Sequence, residues 1–262
     1  IKSTFVNHEI ANCVDQEWMK ELTNQELYAE MQNDVVNVDP DVKVDYDLST
    51  DLLKARLKEM DAKSPFNIEY NEGLENIIKS YLKNRKKSYE RLMAISEYYF
   101  PMFEAALAKY DVPLEIKYLA VVESALNPRA TSWVGAKGLW QFMPLTGADY
   151  GMKQNQYVNI FYDPVANTDS AVRYLRDLYK QLGDWNLAIS AYNCGAGNVN
   201  KAIRKAGSRS YWKVRPYLPK ETQAYVPSFI AVNYMFNFYK LHNIKPQYFK
   251  YNFSELRVIK VN

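Results

Sequence analysis

Apolar residues recur along most of this chain at three- and four-residue spacing, and stretches that alternate with period two are almost absent. The pattern predicts an all-α protein. The most informative stretch is 112–143. Within it Ile116, Leu119, Ala120 and Glu123 stand at i, i+3, i+4 and i+7, so a carboxylate shares one face of a helix with three apolar side chains. Pro113 suits the first turn, and Asn127-Pro128 cannot continue a helix, which predicts an end near Leu126. Further helices are predicted over 17–31, from a Ser49-Thr50-Asp51 cap through Lys63, and over 73–84, 88–99, 102–110 after Pro101, 166–182, 185–192, 198–206 and 222–242. The valine-rich, acidic segment 33–47, interrupted by Pro40, reads as an irregular arm, and 248–261 as a strand or the start of a further module. The organisation expected is an N-terminal helical and irregular extension (1–64), a main helical domain (65–245) and a C-terminal tail (246–262).

Composition narrows the chemistry. Hydrophobic residues at 48% provide for a real core, and 33 Lys+Arg against 30 Asp+Glu leave a net charge of only +3. That is far from the one-sided basic field of a nucleic-acid binder, so no nucleic-acid partner is expected. Two histidines, His8 and His242, and two cysteines, Cys13 and Cys194, are too few for a metal cluster or a disulfide framework. No metal or cofactor is expected, and catalytic work falls to carboxylates and tyrosines. Cys194 paired with His242 as a nucleophile lacks a local helper residue. The basic run 83–87 reads as a solvated helix face, and Gly195-Ala-Gly197 as a turn between helices. The longest uncharged run, 222–239, is broken by Pro227 and carries Asn233 and Asn237, so it reads as a buried helix and not a membrane span.

A carboxyl group on an apolar face near a helix C-terminus is pushed toward its protonated form by desolvation and by the negative end of the helix dipole. A raised pKa keeps a proton available near neutrality, as a general acid requires. A structural glutamate paired with Lys117 or Arg129, or one turned to solvent, is the alternative.

The surroundings of Glu123 carry more. Ser124 follows it directly. A loop containing Ser132, Gly135 and Gly138 leads into GLWQFM, with Gln141 and Met143, then come Ala191-Tyr192-Asn193 and, later, ETQAYVP with Tyr225. In this order and spacing the motifs resemble those of the family 1 lytic transglycosylases, in particular the membrane-bound lytic transglycosylase D group, over about residues 50 to 245. The resemblance implies a goose-type lysozyme-like catalytic domain that cleaves the β-1,4 bond between N-acetylmuramic acid and N-acetylglucosamine in peptidoglycan and leaves 1,6-anhydro-muramoyl ends. By the same resemblance Glu123 is the sole catalytic carboxylate, while Ser132, Gly138, Gln141, Met143, Tyr192, Asn193 and Tyr225 bind or orient the substrate. Many relatives carry an acidic residue where Ala196 stands. It further implies a bacterial periplasmic location, glycan strands as the partner, a membrane tether outside this chain, and a monomer. Read from the residues alone, Tyr192 and Tyr225 are core tyrosines with satisfied hydroxyls, Gln141 either a helix cap or a ligand, Met143 a core side chain, and Trp133 and Trp140 either sugar platforms or packing. Two rival functions are a hydrolytic muramidase, with Asp149 or Asp163 as second carboxylate, and a non-catalytic peptidoglycan-binding scaffold.

Overall fold

Several helices of this protein begin where a side chain takes the unpaired N–H groups of a first turn. The computed structural model describes residues 9–37, 39–154 and 159–248. Helix α1 (Glu9–Leu22) and α2 (Gln25–Asn37) divide the single helix expected over 17–31. The cause is Asn24, whose Oδ1 accepts from the backbone N–H groups of Glu26 and Leu27 at 2.9 and 3.0 Å and starts a new helix. Ser49 caps α3 (Thr50–Asp61), Asn71 caps α4 (Glu72–Asn84), and Asp163 and Asp184 cap α8 (Pro164–Leu182) and α9 (Trp185–Cys194). The remaining helices are α5 (Lys86–Lys109), α6 (Lys117–Ser124), α7 (Pro144–Asp149), α10 (Ala196–Ala206), α11 (Tyr211–Val214) and α12 (Lys220–Phe238). Among the described residues there are isolated β-bridges and no strand. Of the expected strand over 248–261, all but Tyr248 lies outside the described residues.

Several expected boundaries move. Helix α5 runs unbroken through Pro101, because the Glu97 carbonyl that loses its donor lies on the exposed face, open to water. Pro227 sits inside α12 and is itself buried. The carbonyl it orphans, that of Gln223, accepts instead from Arg215 Nε at 2.7 Å. Pro113 precedes a 3-10 turn, Leu114–Ile116, and α6 stops at Ser124 because Ala125 and Leu126 both turn left-handed, at φ 50° and 61°. The segment expected as an irregular arm from residue 33 is helical up to Asn37.

Helix α12 is the axis of the molecule, packed against α4, α6, α9 and α2 and buried on nearly every face. Helix α2 joins the same core through Leu27, Met31 and Val35. Asp34 holds it to the α4–α5 junction by accepting from Arg85 Nε and Nη2, both at 2.8 Å, and Ser88 Oγ donates to Glu30. The basic run 83–87 is thus not wholly a solvated face, since Arg85 is spent on an ion pair. A bidentate pair with its carboxylate buried is the kind that holds two elements in fixed register.

Candidate active site

Glu123 stands in the last turn of α6, half-buried, with Ile116, Leu119 and Ala120 of the same face fully buried behind it. The expected pairing partners are elsewhere: Lys117 bonds Glu104 at 2.5 Å and Arg129 is exposed. The carboxyl instead accepts a short hydrogen bond from the Tyr225 hydroxyl, which α12 delivers from across the cleft. Desolvation pushes the Glu123 pKa up to about 8. The Tyr225 hydrogen bond opposes the shift and the negative charge of Glu221 adds to it. Near neutrality this acid holds its proton.

The cleft has a volume of about 790 Å³. Glu123 forms its floor, with Ser132, Trp133, Gln141 and Met143 on one side and Tyr192, Asn193, Glu221 and Tyr225 on the other. A smaller lobe of about 200 Å³ shares Gln141, Met143, Tyr192 and Asn193 and reaches Tyr174 and Gly195. The structure therefore brings together every sequence-predicted site residue except Gly138, which is buried beneath the loop. A Cβ there would collide with the Phe161 carbonyl oxygen, so this glycine serves close packing.

The loop over 130–143 is fixed from within and below. Ser132 Oγ accepts from the Ala136 N–H at 3.0 Å, and Ser124 Oγ donates to the Leu139 carbonyl at 2.7 Å. Gln141, left-handed at φ 45°, donates its amide hydrogens to the carbonyls of Ala130 and Gly138 at 3.2 and 3.0 Å. A non-glycine residue in that region costs on the order of 1–3 kcal/mol, and such strain gathers where surroundings hold a functional geometry. Gln141's donors are thus spent on the loop. The Tyr192 hydroxyl donates to the Trp140 carbonyl at 2.6 Å, while Asn193 Oδ1 accepts from Thr222 at 2.8 Å. Both orient the wall, and of the two tyrosines only Tyr225 is bonded to the acid. The tryptophans separate cleanly: Trp140 is fully buried, whereas Trp133 is 97% exposed at the lip.

Asp149 and Asp163 do not line the cleft, and Asp163 is committed to capping α8. The second carboxylate in the wall is Glu221, one helical turn before Tyr225. Its place in ETQAYVP, four residues ahead of the tyrosine, was the available signal. Also unforeseen were Gln25, Tyr28 and Gln32, with which α2 closes the near side. His242 lies apart from Cys194, bonded to Tyr234 and Arg56 at 2.9 Å each, and burial with Arg56 nearby pushes its pKa down to about 4. Among the described residues no group of three or more His, Cys, Asp or Glu side chains is placed to hold a metal ion. Because the Tyr225 hydroxyl favours the carboxylate, Tyr225→Phe is expected to raise the Glu123 pKa further. A carbon-13 carboxyl titration reads this directly as a midpoint above that of the unsubstituted protein.

Fold and site together define a lysozyme-like helical protein built around one dry acid. The comparisons agree with that class. Residues 100–215 match the model of the transglycosylase SLT domain. A membrane-bound lytic murein transglycosylase D of Escherichia coli strain K12 is 34% identical over 171 residues, covering 63% of this chain and 37% of that relative. A transglycosylase of Enterobacteria phage PRD1 is 38% identical over 108 residues, covering 41% of this chain and 37% of the phage protein. The chain thus spans well under half the length of either relative. A solved complex of a 70-kDa soluble lytic transglycosylase with bulgecin A overlays 90% of this chain and 37% of the other at a TM-score of 0.53, with 21% identity, and speaks to the fold.

Proposed function

We propose that this chain is a peptidoglycan lytic transglycosylase that cleaves the β-1,4 bond between N-acetylmuramic acid and N-acetylglucosamine, with Glu123 as sole acid and base. The observation that carries the reading is a desolvated carboxyl at the floor of an open cleft, protonated at neutral pH and held by one tyrosine hydroxyl. Glu123 gives its proton to the leaving glycosidic oxygen as the C1–O bond breaks. The substrate's own acetamido oxygen supports the electron-poor C1. The Glu123 anion, accepting from Tyr225, then takes the proton of the C6 hydroxyl as that oxygen bonds C1 and closes the anhydro ring. The same residue ends as it began, protonated, and no water is consumed.

Glycosidases that use water place a second carboxylate beside the first. Glu221 is the wall residue able to serve a muramidase in that way, which makes the products decisive. Mass spectrometry of ends released from purified peptidoglycan is expected to show anhydro ends, one water lighter than reducing ends. Reducing ends alone would overturn the proposal in favour of hydrolysis, and no release at all would favour a binding scaffold.

In this reading the main catalytic domain is 65–245, the extension 1–64 adds α2 to its cleft, and 246–262 is a tail. Glycan strands are the partner, and the exposed Trp133 ring at the lip is a platform for the flat face of a sugar. Trp133→Ala is expected to raise KM for soluble glycan strands about fivefold, from the loss of roughly 1 kcal/mol of ring contact, with kcat nearly unchanged. Action as a monomer belongs to the same proposal. A membrane-bound relative supports a place in the bacterial envelope, and a periplasmic location belongs to the same proposal. Among the described residues no helix is long and apolar enough to cross a membrane.

A further inference from the structure

The C-terminal end of α6, which carries Glu123, leaves carbonyl groups without intrahelical partners, and left-handed Ala125 and Leu126 prevent another turn from supplying them. Helix α2 supplies the partner. Gln32 Nε2 donates to the carbonyl oxygen of Glu123 itself at 2.9 Å and lies 3.4 Å from that of Val122. One turn earlier on the same face, the Tyr28 hydroxyl donates to Gln141 Oε1 at 3.2 Å. These contacts close a circuit. From Gln32 it passes through the Glu123 peptide to Ser124, whose Oγ bonds Leu139, then along the loop to Gln141 and back through Tyr28 to α2.

Each side of the circuit has its own anchor. Helix α2 is fixed by the Asp34–Arg85 pair and the loop by Tyr192 on Trp140. Gln141 spends both amide hydrogens on loop carbonyls, so Tyr28 satisfies the remaining Oε1 of a buried side chain held at positive φ. Tyr28 and Gln32 also line the cleft directly, between Gln25 and the acid. None of these α2 residues falls within the 100–215 stretch matched by the SLT domain.

We propose that Tyr28 and Gln32 are positioning residues for the reaction: α2 is a working wall of the active site that fixes the peptide bearing Glu123 and the loop facing it. The inference rests on the transglycosylase reading for its kinetic consequences, while its structural content concerns the free protein.

Two variants test it. Gln32→Met keeps the length of the side chain and removes its donors, and Tyr28→Phe removes only a hydroxyl. Each is expected to lower kcat on soluble glycan strands about tenfold, as for one positioning hydrogen bond, with KM within about twofold of the original. The double variant should lose less than the product of the two, because both cut the same circuit. The groups facing the acid are Tyr28 on α2, Tyr192 on α9, and Glu221 and Tyr225 on α12. Loosening the floor admits water to a carboxyl whose pKa is raised mainly by dryness, so the alkaline limb of the pH profile should move to lower pH. Unchanged kcat in both variants overturns the proposal. So does a fall in kcat matched by a lower melting temperature with the alkaline limb unmoved, the mark of a merely structural role. Should the unsubstituted protein release no anhydro ends, the functional reading fails separately. The Glu123 titration in free Gln32→Met still decides: a lowered midpoint supports the circuit and an unmoved one refutes it.

Discussion

Glu123→Gln is expected to abolish cleavage, by about three orders of magnitude or more, while glycan binding survives and the protein becomes more stable. The amide has nearly the shape of the acid and can still accept from Tyr225, but it has no proton to give, and a positioned general acid contributes on the order of 10²–10⁴ in rate. Here the same group must also act as base, so both halves of the reaction stop. The stability gain follows from linkage. In the folded protein Glu123 holds its proton to about pH 8, whereas in the unfolded chain it titrates near 4.5. A folded pKa above the unfolded one makes stability greatest below pH 4.5 and lets it fall as pH rises toward 8. At pH 7 the cost is on the order of 3 kcal/mol, and the glutamine variant escapes it. Chemical denaturation of both proteins at pH 4 and pH 7 should show curves that nearly coincide at the lower pH and separate at the higher. A variant that is inactive and also less stable at pH 7 contradicts a dry, protonated acid.

Gly138→Ala is expected to have the largest effect on folding. The glycine is at φ 80°, a region that costs an L-residue about 1–2 kcal/mol, and the added methyl would collide with the Phe161 carbonyl oxygen and press on the Asn167 amide at 2.9 Å. Backbone oxygen cannot swing aside as a flexible side chain does. Overpacking adds about 1–3 kcal/mol, so a loss of about 3 kcal/mol is expected, roughly 6 to 12 °C in Tm for a chain of this size. Asn167 Oδ1 also receives the Trp140 N–H at 2.9 Å, so displacing it disturbs the loop that Tyr192 and Ser124 hold. Gly207→Ala is the control: φ is also positive, at 57°, but nothing lies within 4 Å, and only the smaller conformational cost is expected. Equal losses at the two positions would show that conformation, and not packing under the loop, sets the requirement for glycine at 138.

What the sequence made legible was local periodicity and motif order. The i, i+3, i+4, i+7 pattern put Glu123 on the buried face of α6, and the late tyrosine motif led to Tyr225, a contact 102 residues away along the chain. Less accessible was anything set by partners from distant elements. Pro101 looked like a helix end because the pattern does not reveal that the orphaned carbonyl faces water. Gln141 was legible as a cleft residue, but its commitments to Ala130, Gly138 and Tyr28 were not, because they depend on a left-handed turn and on α2. Gly138 carried a motif position whose physical reason, the approach of Phe161, appears only in three dimensions. Helix α2 was legible only as part of an N-terminal extension, and the partners of its Tyr28 and Gln32 appear only when the cleft is built around them.

The state of one carboxyl group at neutral pH underlies all of these expectations. Infrared difference spectra between the free protein and Glu123→Gln, recorded from pH 5 to pH 10, read it without substrate. The account predicts a protonated-carboxyl C=O band present at pH 7 and lost with a midpoint near 8. A band already absent at pH 6, with only carboxylate signal for Glu123, would contradict it.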